Sequence, residues 1–251
     1  LEPDLDAFAA WLALADRRAA LRESRLIIAL GSDAIDAWVR RMTDRPGLAV
    51  HRRVFCADPE TDLTPLADAR ATIVRQRTES MHVALNDLAG RWAGIGDADA
   101  AARIRPGATV IGFTSRYTTV LKHAMRDVAR CFETLGYRFV LVEEPSEGEH
   151  LFAADIARRI AEEDAALVVV FNRLRPDSIP LFGPVPLLSI VLDPVDEILS
   201  RQGAARVGPR DVLAGFYADR AVREFGYPAR RYLPQHFFPI DPTRFHDGPL
   251  D

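Results

Sequence analysis

The run Ala166-Leu-Val-Val-Val-Phe171 contains no polar residue, and this feature constrains the fold more than any other in the chain. A strand with one wet face alternates polar and apolar residues. An unbroken apolar run is buried on both faces instead. Such burial arises where helices cross over between parallel strands, and the surrounding sequence supplies strands and helices in alternation. Strand-like runs stand at Ala108–Phe113, Arg138–Glu143, Leu187–Leu192 and near Val212–Gly215, with a short last one at Arg231–Leu233. Between the first two, a helix capped by Thr118 or Thr119 runs to Gly136, a natural left-handed stop. Ser146 and Glu149 have capping-box spacing ahead of a helix bearing Leu151, Phe152, Ile156 and Ile160. A further helix is predicted from Tyr217 to Phe225, ended by Gly226. The expectation for residues 105–251 is therefore an α/β fold, a doubly wound and mostly parallel Rossmann-like sheet.

Residues 1–104 read as a smaller α/β or helical unit. An opening helix is predicted over about Leu5 to Leu21, then a strand at Arg25–Leu30 and a turn at Gly31. Ser32 or Asp33 can cap a helix carrying Ile35, Trp38, Val39 and Met42, which Pro46-Gly47 ends. Leu48–Phe55 reads as a second strand. Thr64-Pro65 starts a helix that runs to about Trp92, because proline at the first helical position loses no hydrogen bond. The small, polar stretch Ala93–Ala100 closes the unit, and the boundary is placed near residue 105.

Composition bounds the partners. The net charge of −4 gives no global positive field to hold a nucleic-acid backbone, so no nucleic-acid partner is expected. No apolar stretch approaches the roughly 20 residues of a transmembrane helix. Cys56 and Cys131 lack metal-like spacing and lie in apolar contexts, which predicts buried free thiols in a reducing compartment. The expected location is cytoplasmic, free or at the inner face of the membrane. Lys122 is the only lysine among 32 basic residues, a bias spread along the whole chain that locates no site. The chain begins at Leu1 rather than Met, which fits a processed product or a piece of a longer protein.

In doubly wound sheets ligands gather outside the carboxyl ends of the strands. That rule nominates Thr114–Thr119, Glu143–Ser146, Asn172–Arg175, Asp193–Glu197 and Phe216-Tyr217. The turn Gly112-Phe-Thr-Ser-Arg-Tyr-Thr-Thr119, with Lys122 and His123 one turn on, combines hydroxyls, cations and a helix N-terminus. It fits an anion site, or else threonines that merely cap the helix beside a solvated Arg116. Its spacing matches neither a dinucleotide fingerprint nor a P-loop. In Asp193-Pro-Val-Asp-Glu197, Asp193 reads either as a general base or substrate-hydroxyl acceptor, or as an N-cap with Pro194 at the first helical position. Glu143-Glu144 could receive a ribose hydroxyl. The six histidines are scattered without paired spacing and read as surface or packed side chains rather than metal ligands, with His123 and His236 the two that could border the cleft. Asp4-Leu-Asp6 and Asp97-Ala-Asp99 match the short pattern of metal-dependent transferases but follow no apolar strand.

Several of these pieces recur, in order, in one family. Gly112-Phe-Thr-Ser-Arg-Tyr-Thr-Thr-Val-Leu-Lys-His123 resembles the first strand-to-helix turn of bacterial glycosyltransferases related to the CgeB and spore-protein group. Ser189-Ile-Val-Leu-Asp193 looks like the family's aspartate-terminated fourth strand, and Gly208-Pro-Arg-Asp211 like its Gly-Pro-x-Asp segment. Phe225-Gly-Tyr-Pro-Ala-Arg-Arg-Tyr-Leu-Pro234, followed by Ile240-Asp-Pro-Thr-Arg-Phe245, is similar to the exit from the N-terminal domain of many GT-B proteins. Where the family often has an aromatic residue and a glutamine before the aspartate, this chain has Ile190, Val191 and Leu192. The likeness covers about residues 105–246.

The resemblance implies one half of a GT-B fold of two facing Rossmann-like domains. This half would bind the acceptor, a glycan, lipid or protein hydroxyl. A second domain, expected to be missing here, would hold the nucleotide-sugar donor. It implies metal-independent transfer without a cofactor. Asp193 would be the catalytic base or acceptor-orienting group; Ser115, Arg116, Thr118 and Thr119 would line the cleft, with Lys122 and Asn172 beside them. Two other readings stand next to it. One is a catalytically silent interaction domain, which predicts an exposed apolar patch on the helices of residues 1–104. The other is a small-molecule or nucleotide-binding protein.

Overall fold

The structure is a computed structural model that describes residues 6, 9, 13, 33–50, 62–146, 148–175 and 181–235. The expected helix at Leu5–Leu21 (apart from three helical positions), the strand at Arg25–Leu30, residues 51–55 of the second strand and the segment 240–245 lie outside them. By its internal contacts the chain divides into two compact units, Leu1–His82 with Glu144–Phe152, and Val83–Glu143 with Ala153–Asp251. The division falls inside a 28-residue helix, α2 (Thr64–Arg91), and not near residue 105 as the sequence predicts.

In the first unit, α1 (Ala34–Asp44) buries Ala34 and Met42. Met42 packs with Leu48 and Ile73 in a small core flanked by Trp38, Val39 and Val50. Within the described part of the predicted strand at 48–55, Leu48 makes an isolated antiparallel bridge to Glu149. The Ser146–Glu149 pair is not a capping box. Its helix opens only at Ala153, leaving Leu151 and Phe152 ahead of it. Glu149 instead receives Arg45 Nε at 3.0 Å and the Ser146 hydroxyl at 2.6 Å, while Arg45 Nη2 donates to Ser146 Oγ at 2.6 Å. Arg77 donates to the carbonyls of Leu48 at 2.8 Å and Met42 at 3.1 Å, tying α2 to the end of α1.

The second unit contains a six-stranded, wholly parallel sheet. After α3 (Asp97–Ala102) come β1 (Thr109–Phe113), α4 (Thr119–Thr134), β2 (Arg138–Val142), α5 (Ala153–Glu162), β3 (Leu167–Phe171) and β4 (Leu187–Val191). Then follow α6 (Arg201–Ala205), β5 (Asp211–Gly215), α7 (Ala218–Arg220) running into a π-helical turn at Ala221–Phe225, and β6 (Tyr232–Pro234). The strand order is β2-β1-β3-β4-β5-β6, so the winding reverses between β1 and β3. This is the doubly wound, Rossmann-like arrangement expected from the sequence. Every residue of β3 is buried, as its unbroken apolar run requires.

Alternation along β1 assigns its faces. Val110 joins Ala124, Met125 and Val128 of α4 in one cluster, along with Leu167, Val169 and Ile190. Phe113, one residue out of phase, turns to the other face and stacks on Phe182 with ring centroids 5.9 Å apart. Gly112 lies on the α4 face because nothing larger fits. A Cβ there would lie 2.5 Å from the Phe139 ring and 2.8 Å from Met125 Sδ. Cys131 corrects an expectation: it is exposed although it lies on the same face of α4 as Ala124, because the helix carries no buried residue beyond Val128. At the far side of the sheet, Arg175 anchors the β3–β4 connection. It donates through Nε (2.7 Å) and Nη2 (2.5 Å) to Asp211 Oδ1, and also to the carbonyls of Gly183 and Val185. Asp211 Oδ2 accepts from Gly208 N–H at 2.9 Å, so the Gly-Pro-x-Asp segment is a self-closed turn at the start of β5.

Candidate functional site

Because every strand is parallel, all six carboxyl ends open on one rim. β1 leads into Thr114, β3 into Asn172, β4 into Leu192-Asp193 and β5 into Phe216. The turn at Thr114–Thr119 and Asp193 thus leave the same edge, with only β3 between their strands. At the usual strand spacing that separates their origins by about 10 Å. Their common edge follows from topology, since the two segments are far apart in sequence.

Asn172 and Asp193 form the best-defined part of the rim. Asn172 has φ +49, in the left-handed region that asparagine tolerates better than most residues. That conformation folds its amide back over the end of β4. The Oδ1 atom accepts from Leu192 N–H at 2.8 Å and Asp193 N–H at 3.3 Å, while Nδ2 donates to Asp193 Oδ2 at 2.8 Å. This amide orientation is the one that pairs donor with acceptor at every contact. Asp193 is exposed, and its second oxygen has no hydrogen bond among the described residues. A carboxylate fixed through one oxygen and open at the other can accept a proton or a substrate hydroxyl.

The capping alternative for Asp193 does not hold. No helix opens at Pro194; the next one, α6, begins at Arg201 and is capped by Ser200, whose hydroxyl accepts from Gly203 N–H at 3.0 Å. Asp196 and Glu197 are exposed in the turn between.

The β1–α4 turn is organised around Ser115. Its Oγ accepts from Tyr117 N–H at 3.3 Å, and its carbonyl accepts from the Thr118 hydroxyl at 3.0 Å. Thr118 occupies the N-cap position but makes no side-chain cap, a correction to the capping role expected of it, because its hydroxyl is turned back onto the turn. Thr119 is the first residue of α4. Arg116 and Lys122 are half-buried, and Lys122 has no ion pair among the described residues. Thr114 stands out in the structure rather than in the sequence, where it is one residue of the rim segment Thr114–Thr119. It is 8% exposed, and its Oγ1 is buried without a hydrogen-bond partner. No sequence pattern flags such an atom; only the closure of strands around it does.

Elsewhere the nominated groups disperse. Glu143 receives Arg126 Nη2 at 3.4 Å. His123 is exposed, and His236 lies outside the described residues. Asp97 accepts from Arg210 Nε at 2.7 Å. Among the described residues no three His, Cys, Asp or Glu side chains are grouped to hold a metal, and no helix is long and apolar enough to cross a membrane. A cavity of about 420 Å³ lies at the amino ends of β1 and β3, the edge opposite the rim. Two of its charges pair within the fold: Arg103 meets Asp164 at 2.5 Å and lies over the Trp92 ring. No protein-family model matches the chain, and a search of curated proteins finds no relative.

Proposed function

We propose that residues 105–251 are the acceptor-side half of a bacterial, cytoplasmic GT-B glycosyltransferase. It would pass a sugar from a nucleotide-sugar to a hydroxyl of a glycan, lipid or protein. The observation that carries this reading is the exposed Asp193 carboxylate, held by Asn172 through one oxygen, on the same rim as the hydroxyl-rich β1–α4 turn. In this reading Asp193 removes the proton from the acceptor hydroxyl as that oxygen attacks the anomeric carbon. The diphosphate leaves from a donor held by a second domain, whose cations and helix dipoles stabilise it, without a metal. One α/β layer with an open rim cannot enclose a donor, exclude water and align it with an acceptor. Turnover is therefore expected to require the donor domain, and this chain alone is expected to transfer no sugar.

The test is Asp193→Asn in a polypeptide that includes the donor domain, assayed with common nucleotide-sugars. The expected result is a loss of kcat of about 100-fold or more with a folded protein. Near-normal turnover discards Asp193 as the base. Transfer by the 251-residue chain alone discards the two-domain requirement. The interaction-domain reading draws no support from α2, where the exposed Val74 and Val83 are nine residues apart and so on opposite faces of the helix.

A further inference from the structure

We propose that the turn after β1 binds the phosphoryl group of a small ligand, with the Thr114 hydroxyl and the first turn of α4 as its donors. The proposal does not depend on the transferase reading.

Three observations carry it. First, the buried Thr114 Oγ1 has no partner among the described residues. A buried hydroxyl left without a partner destabilises the fold, and valine would fill the same space at no such cost. A ligand oxygen that completes the bond accounts for its presence. Second, alternation along β1 puts residue 114 on the α4 side. Val110 and the Gly112 position face α4, and Thr114 N–H donates to Val142 carbonyl at 3.1 Å, continuing the ladder beyond Phe113. Two further residues of alternation bring Thr114 to that same face, at the end where α4 begins. Third, α4 is 16 residues long, and its N-cap side chain makes no cap. The first-turn N–H groups and the positive end of the helix dipole are directed toward the rim, and Lys122 stands one turn in.

A phosphoryl group has the charge and the several acceptor oxygens that such a donor set calls for. The site also falls at the reversal point between β1 and β3, where ligands settle in sheets of this winding. Because Thr114 Oγ1 is closed to solvent, a phosphoryl oxygen reaches it only when the adjoining turn, tied by the two contacts at Ser115, shifts aside.

The test is titration of the 251-residue chain with inorganic phosphate and with UDP at constant ionic strength, followed by calorimetry and by the amide resonances of Ser115–Leu121. Saturable binding with shifts confined to those amides is expected for at least one probe. Tighter binding of UDP marks a phosphate ester as the ligand, and equal binding marks free phosphate. Thr114→Val is expected to melt at or above the parent temperature yet bind at least tenfold more weakly, while Thr114→Ser retains binding. Absence of saturable binding to either probe overturns the proposal, as does unchanged binding by Thr114→Val. Should the valine variant not fold, Lys122→Gln decides: tenfold weaker binding supports the site and unchanged binding overturns it.

Discussion

Tyr227 and Tyr232 meet edge to face with ring centroids 5.2 Å apart, both buried, yet their hydroxyls have different fates. Tyr227 donates to the Ile198 carbonyl, whereas Tyr232 Oη has no partner among the described residues. Tyr227→Phe should therefore cost about 1 kcal/mol in urea unfolding, and Tyr232→Phe should be neutral or stabilising. Burial, together with the nearby Tyr227 and Tyr217, pushes the Tyr232 phenol well above its usual range. The folded state keeps this proton while the unfolded chain releases it near pH 10, so stability is intact below about pH 10 and falls above it. Tyr232→Phe should flatten that alkaline limb. At this scale the sequence was only partly legible. It named Asn172 and Asp193, since each follows an apolar run, but their bond depends on the left-handed turn at Asn172, which composition does not announce.

Elements hold together through a few contacts that local patterns misread. Ser146 and Glu149 satisfied the spacing of a helix cap, but the partner that claimed Glu149 is Arg45, 104 positions away in sequence. Burial alone would raise the Glu149 carboxyl; the hydrogen bonds from Arg45 and Ser146 and the charges of Arg45 and Arg41 outweigh it and leave the group below its usual range. Its stabilising contribution is therefore complete above about pH 4.3 and is lost as acid carries the pH through the depressed folded value. Glu149→Gln should cost about 2 kcal/mol near neutrality and reduce the loss of stability in acid, both read from denaturant melts across pH. Between β1 and α4 the critical element is absence of a side chain. Gly112→Ala should destabilise by about 1–3 kcal/mol, because its methyl group would displace Phe139 and Met125 from the shared cluster. The exposed Cys131 shows the converse limit: apolar neighbours and helical phase both predict burial, but the residue lies in the last part of α4, where no residue is buried.

For the whole molecule, alternation of strand and helix was enough to foresee a parallel, doubly wound sheet, because a continuous apolar run has few other ways to be covered on both sides. The division into units was less legible. Residues 144–152 group by contact with the first unit although they lie between β2 and α5, and no change in composition marks that return. A sheet built this way also has a kinetic signature. No two neighbouring strands are joined by a tight hairpin, so no pair can zip up from a local nucleus. β1 finds its partners only after residues 138–142 and 167–169 have been brought back to it, and each docking closes a long loop. The layer therefore assembles late and cooperatively, which leaves its apolar strands open to competing contacts until the crossovers are in place.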